Sequence, residues 1–267
     1  MPIHKVNKKF NFLKPIKTSK LKRLGRNADG GYVVDSNIIK NFNNLVTFGL
    51  GTDWSFELDF MKEKKNANIY VYDHTVNSWQ YFGNIFKNLR RLIFLRTKFS
   101  KLIESILSLK NFLNFTNSNN IYFIKKKIVK KIKSRNEIDI KSVFLNIANK
   151  EDIILKCDIE GSEYEIIDQI LKYNKKIKMI LFEFHWIDIN EKKFINSVKK
   201  LKKFFNIIHI HGNNHSDKTI SGLPVILELT LVNIKLTKKT AKFNINFPLK
   251  KLDYPNNPYK KDISFKF

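Results

Sequence analysis

The sequence has 267 residues, of which 43% are hydrophobic, enough for the core of one large domain and unlike a disordered chain. No apolar run reaches the roughly 18 uncharged residues that a membrane-spanning helix needs, and residues 1–5 lack the apolar core of a secretory signal. A single cysteine, Cys157, excludes an intrachain disulfide, so we expect a cytoplasmic protein without a membrane span.

The formal net charge is +26, from 50 basic and 24 acidic residues. Only six of the basic residues are arginines, whereas 44 are lysines scattered along the chain. Arginine is preferred where phosphates and bases are read bidentately, so this balance is poor for specific nucleic-acid recognition. The joint enrichment in Lys, Asn, Ile and Phe favours a compositional bias as the origin of the charge. A basic nucleic-acid-binding protein remains an alternative.

Short apolar runs alternate with helical patterns, which predicts a single α/β domain whose parallel strands are covered on both faces. Seven strands are predicted, at residues 45–48, 69–72, 121–124, 153–157, 179–182, 205–208 and 225–232. The segment between Thr75 and Asn120 is long for one crossover, so we expect it to hold two helices. Residues 162–165 have the form of a capping box. The lysine-rich run at 125–133 is expected to be solvated surface with its apolar residues turned inward.

Five of the predicted strands end in a polar cluster, at 49–53, at Asp73, and at 156–163, 183–186 and 209–215. Ligands of open α/β sheets bind beyond the carboxyl ends of the strands. The five clusters therefore predict one ligand site at this edge of the sheet.

The first two clusters favour a nucleoside ligand without phosphates. Gly49 and Gly51 allow a tight turn and close approach of a ligand to the backbone. Asp73 follows Gly51 by 22 residues, a spacing suited to binding ribose hydroxyls. The dinucleotide pattern would need a third glycine, and Asp53 would repel a pyrophosphate. Acidic groups suit the positive sulfonium and amine of S-adenosylmethionine; a nicotinamide-dependent oxidoreductase on a similar sheet stays an alternative.

The remaining clusters carry candidate catalytic groups. Asp158 and Glu160 are two residues apart at a strand end, and burying such a pair is costly without a cation, proton or ligand. His185 and His211 follow the next strands, and histidine can take a proton from a hydroxyl near neutral pH. The same four residues could instead ligate a divalent cation, although no close-spaced ligand motif is present.

Motifs in order over residues 23–265 resemble the FkbM-type family of S-adenosylmethionine-dependent methyltransferases. The most specific is Lys-Cys-Asp-Ile-Glu-Gly at 156–161, which is similar to the family's Lys-x-Asp-Ile-Glu-Gly. The others lie at residues 25–33, 48–51, 55–57, 72–75, 183–185, 211–214 and 252–258.

The resemblance implies a Rossmann-like class I methyltransferase sheet of about seven mostly parallel strands with helices on both faces. It also implies S-adenosylmethionine as cofactor and methylation of a hydroxyl on a small molecule, sugar or glycan. The cofactor site that it implies is formed by Gly49, Gly51 and Asp73, with Asp29, Gly30 and Gly31 nearby. Thr47 stands where many methyltransferases carry an acidic residue, and our hypothesis is that Asp29 or Glu57 replaces that residue.

We expect residues 1–40 to pack on a methyltransferase domain formed by residues 41–267, with no specific nucleic-acid partner. In the expected mechanism the methyl group is transferred in line to a substrate hydroxyl held close to the donor. His185 is the first choice of base and His211 the second, while Asp158 and Glu160 shape the pocket.

Overall fold

The computed structural model describes residues 4–18, 20–147, 152–237 and 242–267. At its centre is a seven-stranded sheet formed by β1 Asn44–Phe48, β2 Asn68–Tyr72, β3 Ile121–Ile124, β4 Ile153–Cys157, β5 Ile177–Phe184, β6 Phe205–Gly212 and β7 Leu227–Asn233. The strand order is β3-β2-β1-β4-β5-β7-β6, and every pair is parallel except those that β7 makes with β5 and β6. This confirms the predicted Rossmann-like, mostly parallel α/β sheet.

Helices connect the strands: α1 Ser36–Asn41, α2 Ser55–Glu63, α3 Ser78–Ile93, α4 Phe99–Thr116, α5 Ile140–Asn146, α6 Glu163–Leu171 and α7 Ile187–Leu201. The two helices predicted between Thr75 and Asn120 are α3 and α4. The predicted capping box at 162–165 is wrong, because Ser162 makes no side-chain cap. The Glu163 carboxylate turns instead toward the backbone N–H groups of Ile159 and Gly161.

Smaller elements surround the sheet. Leu21–Leu24 and Tyr32–Asp35 form an antiparallel pair, and Lys127–Ile128 pairs with Glu137–Ile138. His4–Lys5, Asn246–Phe247 and Phe265–Lys266 make a three-stranded sheet. Two 3-10 helices span Lys8–Leu13 and Ile234–Leu236. The N-terminal pair packs on the main sheet, where Thr230 Oγ1 donates to the carbonyl of Val33 at 2.6 Å.

Alternate residues of each central strand enter two different apolar layers, as the period of a β-strand requires. In β1, for example, Val46 and Phe48 belong to the first layer and Leu45 to the second. The first layer also holds residues of α5, α6 and α7, and the second holds residues of α1 and α2. Helices therefore cover both faces of the sheet, which explains why its strands read as nearly continuous apolar runs.

The boundaries differ from the predicted ones in two strands that matter for the site. β5 continues to Phe184 and β6 to Gly212, so Glu183, His209 and His211 lie inside strands rather than after them. Pairing extends this far because the end of β7 runs between the two strands, with Glu228 level with both Glu183 and His211.

Several apolar side chains of α3 face solvent. Trp79, Phe86 and Ile93 keep the expected helical spacing, but they are 79%, 69% and 70% exposed. The lysine-rich run is a mixture, since Ile128 is buried as predicted whereas Ile132 is exposed. Among the helices of the described residues, none is long and apolar enough to cross a membrane.

Candidate active site

A cavity of about 360 Å³ lies at the carboxyl ends of β1, β2 and β4. Phe48 pairs with both Tyr72 and Cys157, so these three strands end level with one another. The loops that follow them therefore line one space. Seven of the eleven residues predicted for the site line this cavity: Asp29, Gly30, Gly49, Gly51, Asp73, Asp158 and Glu160.

The glycine loop after β1 has two glycines that are needed for different reasons. Gly49 has φ +78°, and a Cβ there would lie 1.7 Å from the carbonyl oxygen of Asp158. Gly51 has φ +63°, but a Cβ there would meet no atom within 4 Å. Close backbone approach thus requires Gly49, whereas only the backbone conformation favours glycine at Gly51.

Asp73 holds this loop in shape. One of its carboxylate oxygens accepts hydrogen bonds from the backbone N–H of Leu50 at 2.7 Å and of Gly51 at 3.0 Å. The other accepts from the N–H and hydroxyl of Thr75 and from the N–H of Val76. Burial raises the pKa of Asp73, but these hydrogen bonds outweigh burial and lower it below its ordinary value. The expected ribose contact stays a prediction, and the carboxylate is already well supplied with donors.

The N-terminal segment closes over the loop. The Nε of Arg26 lies 2.8 Å from Asp53 Oδ2 and donates to the carbonyl of Asp29. Gly30 lies against the side chain of Asp53, and a Cβ on Gly31 would lie 2.1 Å from the carbonyl of Arg26. Asp29, Gly30 and Asp53 line the cavity, whereas Gly31 does not. Gly31 therefore serves the packing of the segment rather than the wall of the cavity.

The expectation that Glu57 contacts the cofactor is not supported by its position. Glu57 is fully buried and lies outside the cavity wall. Its Oε1 accepts a hydrogen bond from Thr47 at 2.9 Å and pairs with Lys156 at 3.3 Å. Burial lowers the pKa of Lys156, but the charges of Glu57 and Asp158 raise it in net. Glu57 therefore balances the charge of a buried lysine beneath the loop, and Thr47 supports the Glu57 carboxylate with a hydrogen bond.

Asp158, Glu183 and His185 form an acid–imidazole cluster beside the cavity, with one ligand atom from each lying within 4.8 Å of the others. Asp158 comes from the end of β4 and lines the cavity, while Glu183 and His185 come from the end of β5 and are buried. Tyr32 Oη donates to Asp158 at 3.3 Å, and Asn213 Nδ2 donates to Glu183 at 2.7 Å.

His185 is held by a carboxylate on its far side. Its Nδ1 lies 3.1 Å from Glu163 Oε1, and that oxygen also accepts from the N–H groups of Ile159 and Gly161. The other nitrogen, Nε2, lies 3.8 Å from Asp158 Oδ1 and 3.5 Å from Glu160 Oε2. These distances are longer than a well-formed hydrogen bond. Nε2 therefore faces the carboxylates at the edge of the cavity without bonding closely to either.

Burial and the charges within the cluster shift the pKa values of its three members. Burial raises the pKa of Asp158, against the opposing charges of Lys156 and His185. Burial, followed by the charges of Asp158 and Glu228, raises the pKa of Glu183 well above its ordinary value. Burial lowers the pKa of His185, but Glu163 and Asp158 raise it in net. Such opposed groups are typical of sites that hold a proton or a cation.

The position of His211 does not favour its choice as the alternative base. Its Nδ1 lies 3.2 Å from Glu228 and its Nε2 lies 3.2 Å from Asp262, so both nitrogens are engaged. Burial opposes a charge on the ring, but the two carboxylates raise the pKa of His211 to about 10. The ring is 1% exposed and lies outside the cavity wall. A pKa raised in this direction favours the imidazolium form, which has no free lone pair to accept a proton.

The metal-ligand set proposed from sequence is also corrected. His211 belongs to the separate network with Glu228 and Asp262, and Glu183 takes its place beside Asp158 and His185. Glu160 lies 3.5 Å from His185, but its side chain is 80% exposed. Glu163 and Tyr32 were not predicted for the site. Glu183 could have been suspected from the sequence, because a glutamate stands there within an otherwise apolar strand.

No family model and no curated protein matches the sequence. Solved structures are similar to it in overall shape. Human methyltransferase-like protein 13 in complex with SAH is 10% identical, covers 78% of this chain and 80% of its own, and has a TM-score of 0.43. The fibrillarin/Nop5p complex is 12% identical, covers 75% of this chain and 80% of its own, and has a TM-score of 0.39. Precorrin-6y C5,15-methyltransferase of Geobacter metallireducens is 8% identical, covers 74% of this chain and 86% of its own, and has a TM-score of 0.36.

Proposed function

We propose that this chain is an S-adenosylmethionine-dependent methyltransferase of the FkbM type that acts on a hydroxyl of a small molecule, sugar or glycan. The observation that carries the proposal is how the glycine loop uses its amides. The N–H groups of Leu50 and Gly51 both donate to the carboxylate of Asp73. A pyrophosphate would need such amides free and would be repelled by the carboxylate. A nucleoside cofactor without phosphates is compatible with the occupied amides and with the nearby carboxylate.

Acidic side chains in the cavity wall suit the same cofactor, although four basic side chains also line the cavity. Asp29, Asp53 and Asp158 line the cavity, and the cofactor carries a positive sulfonium and a positive amine. The volume of about 360 Å³ lies in the usual range of small-ligand sites, about 300–1,000 Å³. We propose that Asp29 and Asp53 bind the amine, while the backbone of the loop at Gly49 and Gly51 lines the ligand site.

Asp73 would contribute to cofactor affinity mainly by holding the glycine loop in the conformation that binds the cofactor. A carboxylate has about four lone-pair sites, and Asp73 already accepts five hydrogen bonds from the chain. Asp73→Ala would release the loop amides as well as any ribose contact. We therefore expect a weakened affinity for S-adenosylhomocysteine with a smaller effect on turnover at saturation.

The bound cofactor supplies an electrophilic methyl group. The task of the chain is to hold the acceptor hydroxyl in line with that group and to remove its proton. Asp158 is the member of the acid–imidazole cluster that reaches the cavity, with 27% of its side chain exposed, and His185 lies behind it. We propose that the proton leaves the hydroxyl toward Asp158, the member that lines the cavity, and that Nε2 of His185, 3.8 Å behind it, is the first choice of final acceptor.

Thermal-shift measurements test the proposal with four ligands: S-adenosylmethionine, S-adenosylhomocysteine, NAD and an oligonucleotide. The first two should stabilise the protein, by about 2.7 kcal/mol at a hundred times the dissociation constant. Gly49→Ala should abolish the shift, because its Cβ would collide with Asp158. Gly83→Ala is the matched control, since a Cβ there meets no atom within 4 Å. Stabilisation by NAD or the oligonucleotide instead would refute the cofactor assignment.

A further inference from the structure

We propose that the acid–imidazole cluster of Asp158, Glu183 and His185 binds a divalent cation of the Mn²⁺ or Mg²⁺ class. One ligand atom from each residue lies within 4.8 Å of the others. Two ligands at about 2.1 Å from one ion lie at most about 4.2 Å apart, so the three side chains would draw slightly closer together when the ion binds. Two carboxylates and one imidazole are a ligand set that Mn²⁺ accepts well.

The position of His185 supports a cation independently of the two acids. Glu163 Oε1 accepts hydrogen bonds from two backbone N–H groups and lies 3.1 Å from His185 Nδ1; because an ionised carboxylate can only accept, Nδ1 carries the hydrogen of this contact. That bond fixes the tautomer and leaves a lone pair on Nε2. The His185 side chain is buried, with the residue 3% exposed, and its Nε2 lies 3.8 Å from Asp158 Oδ1 and 3.5 Å from Glu160 Oε2, too far for a well-formed hydrogen bond to either. A carboxylate behind a histidine whose other nitrogen is free is the usual support of a metal ligand.

This inference rests on the proposed function for its chemical role. A cation at the cluster would bind the acceptor hydroxyl and lower its pKa. His185 would then be a ligand rather than the base. The released proton would pass to the exposed carboxylate of Glu160 or to water, so the oxygen keeps its electron pair for the methyl group.

Mn²⁺ titration of EDTA-treated protein, followed by electron paramagnetic resonance, tests the site. One bound Mn²⁺ per chain with nitrogen coupling from one imidazole is expected. His185→Gln and Glu183→Gln should each weaken binding at least tenfold, whereas His215→Gln, at an exposed histidine, should not. Absence of nitrogen coupling, or full methyl transfer in excess EDTA, would overturn the cation site. Neither result touches the cofactor assignment, which stands or falls on stabilisation by S-adenosylhomocysteine.

A second inference concerns the helical hairpin formed by α3 and α4, residues 78–116. We propose that its tip binds an anionic lipid surface. Phe94, Leu95 and Phe99 at the tip are 61%, 92% and 62% exposed. Seven basic residues and a single acidic one, Glu104, occur in this segment. It also contains three of the six arginines of the chain, Arg90, Arg91 and Arg96.

An apolar tip with a basic collar is the pattern of proteins that insert side chains at the headgroup boundary of a bilayer. A nucleic-acid surface would need the charge but not the exposed Leu95. A second copy of this chain would need the apolar side chains, but a symmetric interface through the tip would bring the basic residues near it, such as Arg91 and Arg96, close to those of the other copy. Anionic lipid accounts for both features.

Co-sedimentation with phosphatidylglycerol/phosphatidylcholine vesicles tests this inference, with pure phosphatidylcholine vesicles as reference. Binding should need the anionic lipid and weaken with salt. The triple variant Phe94→Ser, Leu95→Ser, Phe99→Ser should lose at least nine-tenths of the binding. Ile220→Ser, which removes an apolar side chain exposed elsewhere, should not. Equal binding to neutral vesicles, tighter binding to an oligonucleotide, or dimerisation through the tip would overturn the proposal.

Discussion

His185 and His211 lie at the same edge of one sheet, and both have carboxylates as neighbours, yet their surroundings suit opposite roles. His211 is bonded through both nitrogens, to Glu228 and to Asp262, and is sealed from the cavity. His185 is bonded through Nδ1 only, and its Nε2 faces Asp158, which lines the cavity. The second ring nitrogen distinguishes the two roles. A histidine whose two nitrogens both have partners stabilises the fold, whereas one with an unbonded nitrogen can bind a proton or a ligand.

The largest effect should separate the two histidines in catalysis. His185→Ala removes either the base or a cation ligand, so turnover should fall by roughly 10²–10⁴-fold, the usual contribution of such a group. The affinity for S-adenosylhomocysteine should stay within a few-fold of the wild-type value. Single-turnover methyl transfer and calorimetry measure the two quantities. Wild-type turnover in this variant would exclude His185 from the mechanism.

Substitution of the other histidine, His211, should lower the stability of the fold. His211→Gln leaves Glu228 and Asp262 without their buried cation, and removing one partner of a buried pair costs roughly 3–5 kcal/mol. Chemical denaturation should show that loss, while His215→Gln, at an exposed position, should stay within about 0.5 kcal/mol of the wild type. A stability unchanged by His211→Gln would mean that the network does not hold this part of the sheet.

The pH dependence of stability sharpens the same contrast. The folded pKa of His211 is raised from 6.5 to about 10, so its stabilisation is complete below pH 6.5 and is lost as the pH rises toward 10. The free energy of unfolding should therefore fall over this window more steeply in the wild type than in His211→Gln. Parallel curves for the two proteins would contradict the raised pKa.

The smallest effect should come from the glycine loop. Gly51→Ala introduces a side chain into open space at φ +63°, which costs about 1–2 kcal/mol of backbone strain. Denaturation should show this modest loss with little change in cofactor affinity. A loss of affinity as large as that of Gly49→Ala would mean that a ligand occupies the space beside Gly51.

Much of the fold could be predicted from the sequence, because apolar runs such as Ile153–Cys157 have one stable use, as strands covered on both faces. The glycine loop and Asp73 could be placed for the same reason, since strand ends meet at one edge. The division of labour between His185 and His211 could not, because it depends on β7 inserting Glu228 next to His211. Nor could the burial of Glu57, which follows from its long-range pairing with Lys156.

Calorimetric titration of the wild-type protein with S-adenosylhomocysteine, and separately with NAD, tests the central claim most directly. The account predicts one S-adenosylhomocysteine bound per chain, an affinity at least tenfold weaker for Asp73→Ala, and no heat from NAD. Binding of NAD without binding of S-adenosylhomocysteine would contradict it.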